Sequence, residues 1–103
     1  VKNLLTTYQD AQKKKNAVGP LQCIGSMDTE GIVAAAKDLQ VPVVVGVSEG
    51  ERELLGDRQI SALVASFRDG EGLPVYLYAD HTHSLESAMA AANVGFNSIV
   101  FDL

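Results

Sequence analysis

The apolar residues of this chain change their spacing several times, and each change marks the boundary of an element. Leu4, Leu5, Tyr8 and Ala11 recur at helical spacing and predict an amphipathic opening helix that ends at Lys13-Lys14-Lys15. After "NAVGP", a short apolar run from Leu21 to Ile24 predicts a weak strand. Ser26 or Asp28 can cap a second helix that carries Ile32, Val33, Ala36 and Leu39 on one face. "VPVVVGV", residues 41–47, is apolar at nearly every position and rich in β-branched side chains. A strand wetted on one side would alternate. This one predicts burial on both faces, as in parallel sheets.

The cycle then repeats. Leu55, Ile60, Leu63, Val64 and Phe67 make a helical face, "DGEGLP" (69–74) supplies a turn, and "VYLYA" (75–79) is a third strand. Ser84 can cap a helix bearing Leu85, Ala88, Met89 and Ala92, Gly95 suits its last turn, and "SIVFDL" (98–103) is a fourth strand. Strands alternating with helices in this way imply an α/β unit of parallel strands joined by right-handed crossovers. No linker interrupts residues 1–103, so they form one unit. Two architectures accommodate it: an open, flavodoxin-like doubly wound sheet, or the first four strands of a (β/α)8 TIM-type barrel. The dinucleotide fingerprint G-x-G-x-x-G is absent after the first strand.

Composition narrows the partners more than the fold. With 47% hydrophobic and 20% charged residues, the 103-residue chain is globular and long enough for one modest core. Eight basic residues against 13 acidic ones give a net charge of −5, which argues against a nucleic-acid or anionic-membrane surface. The lysine run suits a solvated helix end that complements the dipole. Any phosphate must therefore be held locally, by backbone amides and a few side chains. Cys23 is the single cysteine, expected as a small buried residue; it excludes an internal disulfide and suits a reducing, cytoplasmic setting. No apolar stretch approaches the roughly 18–20 residues of a membrane span, and the first twenty residues lack a signal-peptide core.

In either architecture ligands gather at the carboxyl ends of the strands. There the sequence sets "SEGE" (Ser48 to Glu51), "DHTHS" (Asp80 to Ser84) and Asp102. Ser48 can hold a phosphate or sugar oxygen, or the segment can be a plain turn, with Gly50 in a left-handed position and Glu51 opening a helix. Asp80 can move a proton and a neutral His81 can bind zinc, or both can be ordinary loop residues. Successive residues leaving a strand point different ways, so the pair serves one cavity only if the chain turns there. His83 completes a His-x-His, which either faces solvent or marks a metal hydrolase. Asp102 is a metal or neighbouring carboxylate, or a helix cap.

"VPVVVGVSEGERELLG" and "LPVYLYADHTHSLESAMAAANVGFNSIVFDL" together resemble the N-terminal half of the class II, metal-dependent ketose-bisphosphate aldolases, which act on fructose or tagatose bisphosphate. The resemblance runs from about Val18 to Leu103 and rests most on the Asp-His pair followed by "GF-S-V-F-D". It implies a partial barrel of four strands. It implies zinc or another divalent metal as cofactor, with Asp80 as the acid–base residue on the C4 hydroxyl and His81 as a metal ligand. Ser48 would contact the phosphorylated ketose, and Asp102 would serve an alternative metal position. His83 matches no family ligand. The implied reaction cleaves the sugar to dihydroxyacetone phosphate and glyceraldehyde 3-phosphate, or condenses them. Leu21-Gln22 stands where the family usually has Phe-Asn, and Met27 where an acidic residue is common. With one zinc ligand in the chain, the isolated fragment is expected to be inactive, and its open edges imply a homo-oligomer or pairing with a complementary half barrel.

Overall fold

A computed structural model describes residues 3–22 and 26–102, leaving aside the side chains of Ser26 and Met27. The elements run α1 (Leu4–Lys14), β1 (Pro20–Gln22), α2 (Ser26–Leu39), β2 (Val43–Val47), α3 (Glu49–Leu55), α4 (Asp57–Glu71), β3 (Val75–Thr82), α5 (Leu85–Asn93) and β4 (Ser98–Phe101). The strands lie in the order β1-β2-β3-β4, and every neighbouring pair is parallel. A doubly wound sheet reverses its strand order at a switch point. This sheet steps in one direction only, as a section of a (β/α)8 barrel does, and the flavodoxin-like alternative falls on that observation.

A period of two divides the middle strands between two layers. Val43, Val45 and Val47 of β2, with Val75, Leu77 and Ala79 of β3, meet Val33 and Ala36 of α2, Ile60 and Val64 of α4, and Ala91 of α5. This is the larger core. Val44 and Tyr76 point the other way and are covered by Leu4 of α1. All five residues of β2 are buried, as its unbroken apolar run requires. No helix of the described residues is long and apolar enough to cross a membrane.

Several helical faces are rotated from those expected. In α1 the buried residues are Leu4 and Thr7, while Leu5 and Tyr8 are exposed. The Thr7 hydroxyl lies 2.9 Å from the buried Tyr76 hydroxyl, and this pairing turns the helix toward it. In α5, Ala88 and Ala91 face the sheet, whereas Leu85 and Met89 are exposed and Ala92 lies outside the contact. The two alanines are small enough for the helix to lie close on the strands. Leu39 ends α2 and is exposed.

The single helix expected around Leu55 to Phe67 is two helices. Gly56, at φ +94°, closes α3 and opens α4, and Leu55 stays outside the core. Gly50 lies within α3 rather than at a left-handed turn position. The helix α4 extends through Glu71, so the turn is confined to Gly72, Leu73 and Pro74, with Gly72 at φ +69°. Val43 opens β2 by donating to the Pro74 carbonyl at 3.0 Å, leaving Val41 and Pro42 before the strand. Cys23 and Ile24, expected in the first strand, lie outside the described residues, as does Leu103. Gly95 does take the left-handed turn after α5, at φ +97°.

Candidate active site

The strand β3 does not stop at Ala79. It continues through Thr82, so Asp80 and His81 belong to the strand and not to the loop after it. Ala79 pairs with Ile99 and Thr82 with Phe101, so three steps on β3 match two on β4. That surplus residue is a β-bulge, the device by which strands re-aim side chains at their ends. His81 absorbs it at φ +32°, an unusual value for a residue with a side chain. The alternation of faces lapses at this point. Thr82 returns to the buried side, while the His81 Nε2 comes within 3.9 Å of the Asp80 Oδ1. The turn that brings the two side chains to the same rim is built into the strand.

Asp102, just past β4, joins them. Its Oδ2 lies 2.9 Å from the His81 Nδ1, and its backbone N–H donates to the Thr82 carbonyl at 3.0 Å. The hydrogen bond to Asp102, then the Asp102 charge, then the Asp80 charge raise the His81 pKa above its ordinary value. His83 is drawn to the same rim. Its Nδ1 donates to the Asp102 carbonyl at 3.0 Å and its backbone N–H to Glu49 Oε2 at 3.4 Å. Ser48 caps α3, its Oγ accepting from the Glu51 N–H at 3.3 Å, one residue before the Glu49 that reaches His83.

A second network grips Asp80 from across the sheet. Gln22, Gly46 and Tyr78 are register partners on β1, β2 and β3. The Gln22 side-chain amide donates to the Tyr78 hydroxyl and to the Asp80 Oδ2, each at 3.0 Å. Gly46 makes this reach possible, because a Cβ there would overlap the Tyr78 ring. The missing side chain on the middle strand is the slot through which Tyr78 crosses to β1. Burial, followed by the Asp80 charge, raises the Tyr78 pKa, and the bond from Gln22 works against them.

Sequence reasoning located Asp80, His81 and Asp102 at this rim but assigned no role to Tyr78, Glu49 or Gly46, and noted Gln22 only as a departure. Gly46 left a signal, as a lone glycine inside a run of valines. A cavity of about 820 Å³ lies at the opposite end of the strands, lined by Thr7, Lys14, Gly19, Pro74 and Tyr76, and includes none of these rim residues.

The donor set suits one corner of a metal site. With Nδ1 held by a carboxylate, Nε2 is the His81 nitrogen available to a cation, and the carboxylate makes the ring a better donor. Among the described residues, no three His, Cys, Asp or Glu side chains gather in a way that could hold an ion. A zinc site takes three or more protein ligands, so the described residues can supply no more than part of one.

The model of the class II fructose-bisphosphate aldolase family matches residues 2–103. The chain belongs to that family. Its curated relatives include a 6-phospho-5-dehydro-2-deoxy-D-gluconate aldolase of Shouchella clausii, 33% identical over 96 residues, which cover 90% of this chain and 33% of that protein. The fructose-bisphosphate aldolase of Geobacillus stearothermophilus is 32% identical, with 90% and 33% covered. A sulfofructosephosphate aldolase of Alkalicoccus urumqiensis is 28% identical, with 94% and 34% covered. The chain thus spans about a third of the length of these relatives. Among solved structures, the YdjI aldolase of Escherichia coli K12 superposes with a TM-score of 0.81 at 23% identity. That match covers 95% of this chain and 38% of the other, and gives the fold as a partial barrel.

Proposed function

We propose that this chain carries the acid–base corner, and the first metal-binding corner, of a lyase acting on a ketose bisphosphate, fructose or tagatose. The supporting observation is the bulge in β3, which brings Asp80, His81 and Asp102 to one rim. Asp80, its carboxylate steadied by Gln22, takes the proton of the substrate's C4 hydroxyl as the C3–C4 bond breaks and returns it on condensation. The products are dihydroxyacetone phosphate and glyceraldehyde 3-phosphate. His81 offers Nε2 to a divalent metal such as zinc, and Asp102 orients its ring or serves as a metal-site carboxylate. When bound, the metal supplies Lewis-acid polarisation of the ketose carbonyl. The Ser48 Oγ already accepts from Glu51, so its hydroxyl hydrogen is what it can offer to a phosphate oxygen.

The isolated chain is inactive under this reading, because the described residues do not gather a full ligand set. Val100 and Phe101 on β4 are exposed, as is Leu21 on β1, which favours self-association or pairing with a complementary half barrel. The single Cys23 suits a reducing cytoplasm. The test is a chimera in which this chain replaces the matching first third of the Geobacillus fructose-bisphosphate aldolase. It should cleave fructose bisphosphate with zinc present and lose that activity on Asp80→Asn or His81→Ala. A folded but inert chimera, or full turnover by the 103-residue chain alone, would overturn the reading.

A further inference from the structure

Arg52 is the one charged side chain in the buried part of the described structure, at 3% exposure. It projects from the middle of α3, one turn after Ser48, into the layer between helices and sheet. Its Nε and Nη2 donate to the two carboxylate oxygens of Asp57 at 2.8 and 3.2 Å. Nη2 also donates to the carbonyl and the hydroxyl of Ser87 on α5, at 2.9 and 3.1 Å. The Phe96 ring lies under the guanidinium, 5.4 Å from its carbon to the ring centroid. These contacts fix the planar fork in place, and Nη1 is then aimed at the hydroxyl of Thr82, 3.3 Å away.

Thr82 is the residue at which the bulge ends. It is fully buried, it is the register partner of Phe101, and its carbonyl accepts from Asp102. We propose that Arg52 is a positioning residue that holds the β3 bulge by anchoring the Thr82 hydroxyl on the helix side, so that His81 and Asp80 are presented at the rim. A strand without the bulge would send the residue after Asp80 toward the helices. His81 would then meet a buried guanidinium, and Thr82 would face solvent with Arg52 left one acceptor short. A buried donor without an acceptor is unfavourable, so Arg52 both favours the bulged register and disfavours the straight one. The left-handed backbone at His81 is the strain that this anchor maintains. Its consequence for catalysis rests on the aldolase reading; the geometry itself does not.

The experiment is NMR on the full 103-residue chain, reading the intraresidue Hα–HN NOE of His81, which is strong at positive φ and weak in extended chain. The native chain should show it strongly. Thr82→Val, which keeps the shape and removes the hydroxyl, should weaken it severalfold with the Val64 and Leu77 core signals unmoved. Thr82→Ser, which restores the hydroxyl, should restore it. An unchanged NOE in Thr82→Val overturns the proposal. Should Thr82→Val fail to fold, Arg52→Lys, which keeps a charge for Asp57 but lacks the fork, is read in the same way. A parallel zinc titration followed on the His81 ring signals tests the metal reading separately, so failure of that reading and loss of the bulge are told apart.

Discussion

Two polar networks meet at the end of β3, and they are built on opposite terms. On the helix side, Arg52 is buried and spends its donors on Asp57, Ser87 and Thr82. On the rim, His81 is largely exposed and Asp102 nearly half exposed, and one histidine nitrogen is engaged while the other stays available. The difference lies in what each site must resist. A buried charge has to be saturated, because an unmet partner in low dielectric is costly. A site that acts on a ligand has to keep valences open, and it must borrow rigidity from elsewhere. Here Thr82 is the shared residue through which the closed network lends stiffness to the open one.

The largest effect is expected on removing the centre of the closed network. Arg52→Met should destabilise the fold by about 3–5 kcal/mol, since it strips the part-buried Asp57 carboxylate, the Ser87 carbonyl and the buried Thr82 hydroxyl of their shared donor. His81→Ala, at the open network, should leave the urea midpoint essentially where it is. Equal shifts for the two variants would mean that the networks are not distinct in kind.

That asymmetry also accounts for what the sequence disclosed. The strands were legible because "VPVVVGV" and "VYLYA" leave no polar position for a solvated face, and Asp80 and His81 could be placed near a strand's carboxyl end. The bulge was not legible. It depends on a hydrogen bond between Arg52 and Thr82, 30 positions apart, and no local pattern carries such a contact. The rotated faces of α1 and α5 failed for a related reason. Periodicity favours the larger apolar side chains and placed Ala88 correctly, whereas packing chose Thr7 for its bond to Tyr76 and Ala91, beside Ala88, for its size. The break at Gly56 was written in the sequence, and the continuous apolar spacing on either side concealed it. The choice between barrel and doubly wound sheet needed the strand order, which is a global property.

A smaller effect is expected at Gly46, where the open network crosses the sheet. Gly46→Ala should cost about 1–3 kcal/mol, because the new methyl group must displace the Tyr78 ring. In a Tyr78→Ala background that cost should largely vanish, and a double-mutant cycle by urea unfolding measures the difference. A full penalty remaining without the Tyr78 ring would mean that the glycine serves the backbone of β2, and that no slot exists.

The finest distinction concerns how Asp80 and Gln22 pull on Tyr78 in opposite directions. Burial and the Asp80 charge raise the Tyr78 pKa, while the bond from Gln22 lowers it. A group whose pKa is raised on folding contributes stability that is complete below its unfolded value, about 10 for tyrosine, and lost as pH rises through the folded value. Stability should therefore fall through this group above about pH 10. Asp80→Asn should bring the Tyr78 titration back down, and the alkaline loss of stability should shrink with it. Gln22→Ala should move the titration further up. Absorbance of the tyrosinate follows both, with Tyr78→Phe identifying which of the three tyrosines is responsible. Shifts of the same sign in the two variants would show that Gln22 does not bridge the phenol and the carboxylate, and would leave the Asp80 carboxylate without its cross-sheet support.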